Sequence, residues 1–204
     1  MYNVLDVAIY VINYAHDTGC GESMSNLKLQ KILYYIQVAF LLKKNKECFK
    51  AVIIAGEFGP VIPEVYQKYK IYGRRGIPKQ ENRKVLQLDC EKMRIIKKEI
   101  TEISRGDKRL IEKVVDTYAA ITEPIALAKK TCEEDPWENT PLNKEIKNSL
   151  IRKYYLSKKN HVRSCLIPDI PYPVIFSVTP HLFHRIVRGM VVDHQDFQIG
   201  RAHV

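Results

Sequence analysis

No two cysteines in this sequence are spaced as Cys-x-x-Cys, and the five that occur, Cys20, Cys48, Cys90, Cys132 and Cys165, are odd in number and scattered. That pattern speaks against a zinc site and a disulfide framework and points to a reducing, cytoplasmic setting. No apolar run reaches the roughly 18 residues a membrane span requires. The N-terminus, Met1-Tyr2-Asn3 with Asp6 close behind, lacks the basic and apolar regions of a secretory signal. Also missing are a phosphate-cradling glycine loop, a nucleophile elbow and paired carboxylates at acid–base spacing, so the chain reads as a non-enzyme with no catalytic residue, cofactor or metal assigned. Two weak pairs come nearest to chemistry. His16 and Cys20 lie four apart without a third orienting group, and His181 and His184 lie three apart without a carboxylate or cysteine in register.

What is present begins with the stretch Ser25 to Lys44, where a start signal and an unbroken helical period agree. Ser25 is the expected N-cap. Leu29, Ile32, Leu33, Ile36, Ala39 and Phe40 fall on one face of a helix, with Tyr34, Val38, Leu41 and Leu42 widening the arc. Lys28, Lys31 and Tyr35 lie off that stripe and are expected on a narrow wet strip. A helix of this kind belongs inside a globular domain, with other segments packed around it.

The remaining elements follow in order. Asn3 caps a first helix to Asp17 that buries Ala8, Val11, Ile12 and Ala15, and Gly19 and Gly21 end it. Phe49 to Ala55, rich in Val52, Ile53 and Ile54, reads as a strand leading to a turn at Gly59-Pro60. Pro63 suits the first turn of a helix over Glu64 to Tyr72, closed by Gly73, on which Tyr66, Tyr69 and Tyr72 are spaced for packing. A helix is expected in the later part of Arg83 to Glu102 from Met93, Ile96 and Ile100, with Gly106 breaking it. Leu110, Val114, Val115 and Tyr118 form the next stripe. Thr122 should cap a helix opened by Pro124 and carrying Ile125, Leu127 and Ala128, and Leu142 to Leu156 a last one through Ile146, Leu150 and Tyr154. Trp137, the single tryptophan, follows Asp135-Pro136 and reads as a packing anchor. The fold class is therefore mostly α (α+β): a multi-helix domain over residues 1–160 with a small strand or hairpin element.

Past Asn160 the composition changes. Residues 1–160 hold twenty-two lysines, whereas 161–204 hold no Lys or Glu but five of the six histidines and four of the ten prolines. Those prolines preclude a helix, residues 174–178 offer at most a strand, and the segment reads as an irregular tail foreign to the domain. The net charge of +10 favours an acidic partner. Its densest stretch holds Lys68, Lys70, Arg74, Arg75, Lys79, Arg83 and Lys84 against Glu81 alone, and Lys68, Lys70, Arg74 and Arg75 are the candidate partner contacts.

Four pieces taken together resemble a known family. Ser25-Asn26-Leu27-Lys28-Leu29-Gln30-Lys31-Ile32-Leu33-Tyr34-Tyr35 is followed by Phe49-Lys50-Ala51, by Gly59-Pro60-Val61 with Pro63-Glu64-Val65-Tyr66, and by Tyr72-Gly73. This order is similar to the Panacea domain of SocA-like, phage-associated antitoxins, and Pro136-Trp137 matches that family's later Pro-Trp signature. The likeness covers about Val4 to Tyr155. Where the family often has an aromatic entering its Gly-Pro segment, this chain has Gly56. The resemblance implies that Leu29, Gln30, Lys31, Tyr34, Tyr35, Gly59, Pro60, Val61, Pro63, Tyr66, Gly73, Pro136 and Trp137 are mainly structural. It also implies an antitoxin that neutralises a cognate toxin by binding, in some relatives as an adaptor to a protease of the Clp type. The alternatives are a nucleic-acid-binding regulator using residues 68–84, which is the less favoured partner class, and a phage-related enzyme of unknown reaction.

Overall fold

Asn3 accepts a hydrogen bond from the Leu5 amide at 2.9 Å and so starts α1, Val4–Asp17, satisfying one of the orphan donors at the helix end. The computed structural model describes residues 1–81, 84–89, 94–99 and 102–161. Gly19, at φ +79°, supplies the left-handed residue that turns the chain back after α1. A 3-10 turn, Gly21–Ser23, then leads to α2, Asn26–Lys43, with Ser25 as its cap. The two-stranded hairpin β1, Ile54–Gly56, and β2, Gly59–Val61, precedes α3, Pro63–Tyr69, which runs into a 3-10 turn, Lys70–Tyr72. A second antiparallel hairpin pairs β3, Lys84–Asp89, with β4, Arg94–Glu99, in the register Lys84 to Glu99 and Asp89 to Arg94. Helices α4, Arg105–Ala119, α5, Pro124–Cys132, α6, Asp135–Glu138, and α7, Asn148–His161, complete the described chain.

Helix α2 is the axis of this arrangement and touches α1, α3, α4, α5, α7 and β2. Leu29, Ile32, Leu33, Ile36 and Phe40 are fully buried, as the periodicity requires. The expected wet strip does not exist: Lys28 and Lys31 are fully buried and Tyr35 nearly so. The reason is that neighbours surround α2 on every side, and its polar side chains take up backbone groups that irregular segments leave unpaired. Gln37 is one case. Its Oε1 accepts from the amides of Cys48 at 3.0 Å and Phe49 at 3.4 Å, and its Nε2 donates to the Phe49 carbonyl at 3.4 Å.

Other expectations also change. The strand starts at Ile54, not Phe49, and Val52 is 53% exposed. Gly59-Pro60 lies in β2, and the turn is Glu57-Phe58. Cross-strand pairing of Val85 with Lys98 and Leu88 with Ile95 overrides the helical spacing read over 83–102, since β-branched residues favour the ladder. Gly106 sits inside the first turn of α4, whose cap is Ser104. Glu123, not Thr122, precedes α5 and makes no side-chain cap. The last helix begins at Asn148 because Ile146 is held in extended backbone, its amide bonded to the Ile53 carbonyl at 2.8 Å. Ile125 and Leu142, expected on apolar stripes, are 41% and 40% exposed. Met93, Ile100, Cys90, Cys165, the 174–178 segment and the His181–His184 pair lie outside the described residues.

The N-terminus is stapled to α4 through Asp107. Tyr2 donates its hydroxyl to Oδ2 at 2.6 Å, Lys44 forms an ion pair with Oδ1, and Lys46 lies 3.6 Å from Oδ2. Burial alone would raise the Asp107 carboxyl, but the bonds from Lys44 and Tyr2 and the charges of Lys44 and Lys46 outweigh it and hold the pKa at about 2, against an ordinary 3.8. A depressed carboxylate stabilises the fold fully above its unfolded pKa, and that contribution drains away as pH falls toward the folded value. Asp107→Asn should therefore flatten the acid limb of stability by about 2 kcal/mol between pH ~4 and ~2 in urea melts. Identical acid limbs in variant and wild type would refute the assignment.

Candidate functional site

The residues with chemical potential gather where α2 meets the first hairpin and the α5–α6–α7 corner. Lys31 points from α2 to β2 and donates to the Pro60 carbonyl at 2.9 Å. Gly59, at φ +93°, permits this approach: a Cβ there would lie 3.2 Å from Lys31 Nζ and collide with Thr131 Oγ1 on α5. Burial pushes the Lys31 amine down to about 7, a tendency that nearby Cys132 opposes. One helical turn earlier, Lys28 gives its Nζ protons to the Ala119 carbonyl at 2.6 Å and Ser23 Oγ at 2.7 Å, and burial lowers its pKa as well.

On the adjoining side, Glu134 precedes α6 and accepts three phenols. Tyr34 reaches Oε2 at 2.9 Å, while Tyr35 at 2.9 Å and Tyr155 at 2.6 Å share Oε1. Burial raises the Glu134 pKa, with the hydrogen bonds from Tyr155, Tyr34 and Tyr35 pulling the other way. Burial, then the facing carboxylate, drives all three phenols well above their ordinary value. Tyr35 also stacks on Tyr118 with ring centroids 4.2 Å apart, and Lys130 Nζ lies 5.3 Å from the Tyr118 ring. This cage ties α7 and α6 to α2 through one acceptor, a fully satisfied buried network that specifies how the three elements meet.

The hairpin is clamped from two further directions. Trp137, fully buried, donates its indole N–H to the Gly56 carbonyl at 2.8 Å. Gln30 accepts from the Ile62 amide at 2.8 Å and donates to Asn26 Oδ1 at 3.0 Å, and Asn26 donates to the Tyr66 carbonyl at 3.2 Å. A Cβ at Gly56 would lie 2.7 Å from Val61 Cγ2, so the pairing of β1 with β2 leaves no room there for a larger residue.

This is the set of residues on which the family resemblance rests, and a family model matches over residues 29–138: antitoxin SocA-like, Panacea domain. The chain belongs to that family. No curated protein and no solved structure matches it. In this Panacea domain Gln30, Lys31, Tyr34, Tyr35, Gly59, Pro60 and Trp137 meet at one buried junction, Leu29 is fully buried on α2, and Pro136 opens α6 beside the junction. Val61 and Pro63 join the hairpin to α3, with Pro63 in the helix's first turn, and Gly73, at φ +56°, closes the following 3-10 turn. Tyr66 departs from its expected packing role, since the residue is 46% exposed although its carbonyl is held.

Lys68, Lys70, Arg74 and Arg75 are brought to one exposed stretch on the outside of α3 and its turn, away from the buried junction. His16 and Cys20 do not form a reactive pair in the structure's hydrogen bonding: His16 Nε2 is engaged by the Ile77 carbonyl at 2.8 Å. Sequence reasoning did not single out Glu134, Tyr155 or Thr131. A signal existed in Tyr34-Tyr35, because two adjacent phenols on a helix with no free side require a buried acceptor. An open groove of about 430 Å³, lined by Asn139, Thr140, Lys144, Lys147 and Lys153 among others, contains none of the motif residues. Among the described residues no helix is long and apolar enough to cross a membrane.

Proposed function

We propose that the chain is an antitoxin that neutralises a cognate toxin by binding it. Membership of the SocA-like antitoxin family supports this, and the observation that carries it is where the motif residues fall. Lys31, Tyr34, Tyr35 and Glu134 are enclosed and engaged with one another or with backbone, so their chemistry is spent on holding the fold. What can meet another molecule is surface. Neutralisation needs only a folded face that occupies the toxin; a micromolar dissociation constant corresponds to about 8 kcal/mol, within reach of one ordinary interface. On this reading the protein acts in the cytoplasm, residues 1–160 carry the activity, and the chain is not an enzyme.

Expression of the neighbouring small gene alone should stop growth, and co-expression of this chain, or of residues 1–160, should restore it in proportion to the ratio of the two proteins. Rescue at strongly substoichiometric levels would indicate the adaptor variant, in which the bound toxin is handed to a Clp-type protease. A neighbouring product that is harmless at every expression level would overturn the neutralisation reading.

A further inference from the structure

The turn after α3 carries three cations, Lys70, Arg74 and Arg75, that the fold leaves exposed. Residues 65–80 contain no Asp or Glu but hold Lys68, Lys70, Arg74, Arg75 and Lys79. Lys79 is paired with Asp17 at 2.5 Å, and Lys68 Nζ lies 5.4 Å from the Tyr69 ring. Lys70, Arg74 and Arg75 are exposed, and among the described residues no ion pair engages them. Within the same stretch Ile71 is 71% exposed and Tyr66 46% exposed. The nearest acids in the sequence, Glu64 and Glu81, stand at the two ends of the stretch.

Exposed cations on a free loop are usually just solvated, but this stretch is pinned along its length. Val65 and Tyr69 anchor its inner side in the core, and Asn26 holds the Tyr66 carbonyl. Beyond the arginines the Ile77 amide donates to the Met24 carbonyl at 2.9 Å, and the Gln80 backbone exchanges two bonds of 2.8 Å with the Asn13 side chain. Gly76 packs so closely that a Cβ there would lie 2.5 Å from the Glu22 carbonyl oxygen. A backbone fixed in this way has little ordering entropy left to lose on association, so the ordering cost falls on the Lys70, Arg74 and Arg75 side chains.

We propose that this surface docks an acidic protein face, Ile71 entering an apolar depression while Lys70, Arg74 and Arg75 meet carboxylates around it. The assignment rests on the neutralisation reading and names the chemistry of the toxin's contact face. Exposed Ile71 favours a protein over a nucleic acid, because a phosphate backbone offers nothing apolar for it to cover, whereas apolar side chains together with arginines are the ordinary anatomy of a protein interface. Arginine suits carboxylates further through its planar two-pronged donor geometry.

The test is calorimetric titration of the full chain with the purified product of the neighbouring gene. Arg74→Glu with Arg75→Glu should weaken binding at least about 100-fold, Arg74→Ala with Arg75→Ala about tenfold, and Ile71→Ser about tenfold, with thermal melts superimposable on the wild type. Lys153→Glu, a charge reversal at the distant groove, should bind as the wild type does. Unchanged affinity in folded Arg74/Arg75 and Ile71 variants would overturn this surface while leaving neutralisation standing. Absence of any wild-type binding would overturn both. A duplex of about 20 base pairs bound more tightly than the protein at physiological salt would replace the acidic protein with nucleic acid.

Discussion

Trp137→Ala is expected to remove about 3 to 5 kcal/mol of stability in denaturant melts, which leaves only about 0 to 2 kcal/mol if the domain lies near the low end of the usual ~5 to 15 kcal/mol. Two effects add. The fully buried ring fills the space between α6 and the first hairpin, and its removal loses transfer energy and leaves a cavity that the short, proline-opened α6 cannot close without moving Glu134. The Gly56 carbonyl, still paired with Gly59 across the hairpin, also loses its 2.8 Å indole donor, and a hydrogen bond of this kind is worth about 0.5 to 1.5 kcal/mol. Trp137→Phe separates the two, since it keeps most of the apolar area and deletes only the indole N–H; it should cost about 0.5 to 1.5 kcal/mol. A loss below about 1 kcal/mol for the alanine variant would mean that α6 relaxes onto the hairpin and that Trp137 is not the anchor.

The placement of α1, α2 and α3 was legible because each begins with a local signal that the structure uses. Asn3 and Ser25 are side-chain caps, and Pro63 stands at a helix's first turn where its missing donor costs nothing. What failed was any inference that needed to know what lies on the far side of a residue. Lys28 and Lys31 look like a wet face to any periodicity argument, yet a long flexible side chain can carry its amine across the core to a carbonyl that only the tertiary fold brings there: Ala119 for the one and Pro60 for the other. The β3–β4 hairpin was missed for a related reason. Ile96 shares a helical spacing with Met93 and Ile100, but its ladder partner Gln87, nine residues away, decides its state, and local pattern does not contain that pairing.

The buried junction was half legible. The motif marked Gln30, Lys31, Tyr34, Tyr35, Gly59 and Trp137 as belonging together, but which atoms they satisfy could not be read, because their partners are mostly backbone groups: the amide of Ile62 and the carbonyls of Pro60 and Gly56. Backbone is the same at every position in a sequence. The carboxylate partner, Glu134, sits in a run with Glu133 and Asp135, and nothing in that acidic run says which carboxylate turns inward. The basic surface was legible as charge alone. Its rigidity comes from Asn13, Asn26 and Met24, residues far away in sequence that hold the loop through its backbone.

Lys31 makes the stability of this domain depend on pH in an unusual direction. Burial lowers its amine to about 7 in the fold, against 10.5 when exposed. Between those two values the unfolded chain keeps a proton that the folded chain has released, so stability rises with pH, with a slope of about 1.4 kcal/mol per pH unit and a full span of about 4 to 5 kcal/mol. Lys28 is shifted in the same direction and adds to the rise. The rise must end near pH 10, because the phenols of Tyr34, Tyr35 and Tyr155 are raised in the fold, and above that point the unfolded chain ionises first and draws the equilibrium toward itself. Urea melts between pH ~7 and ~9.5 should therefore show stability increasing by about 3 kcal/mol or more. Lys31→Met keeps the volume and removes the titration, so it should lower that slope by about one proton. It leaves the Pro60 carbonyl without its donor at a cost of about 1 to 3 kcal/mol, yet relieves a larger burial penalty, so near neutral pH it should be more stable than the wild type. A Lys31→Met protein with the wild-type pH slope would show that the amine stays charged in the core, and that the junction around Gly59 and Thr131 solvates it better than its enclosure implies.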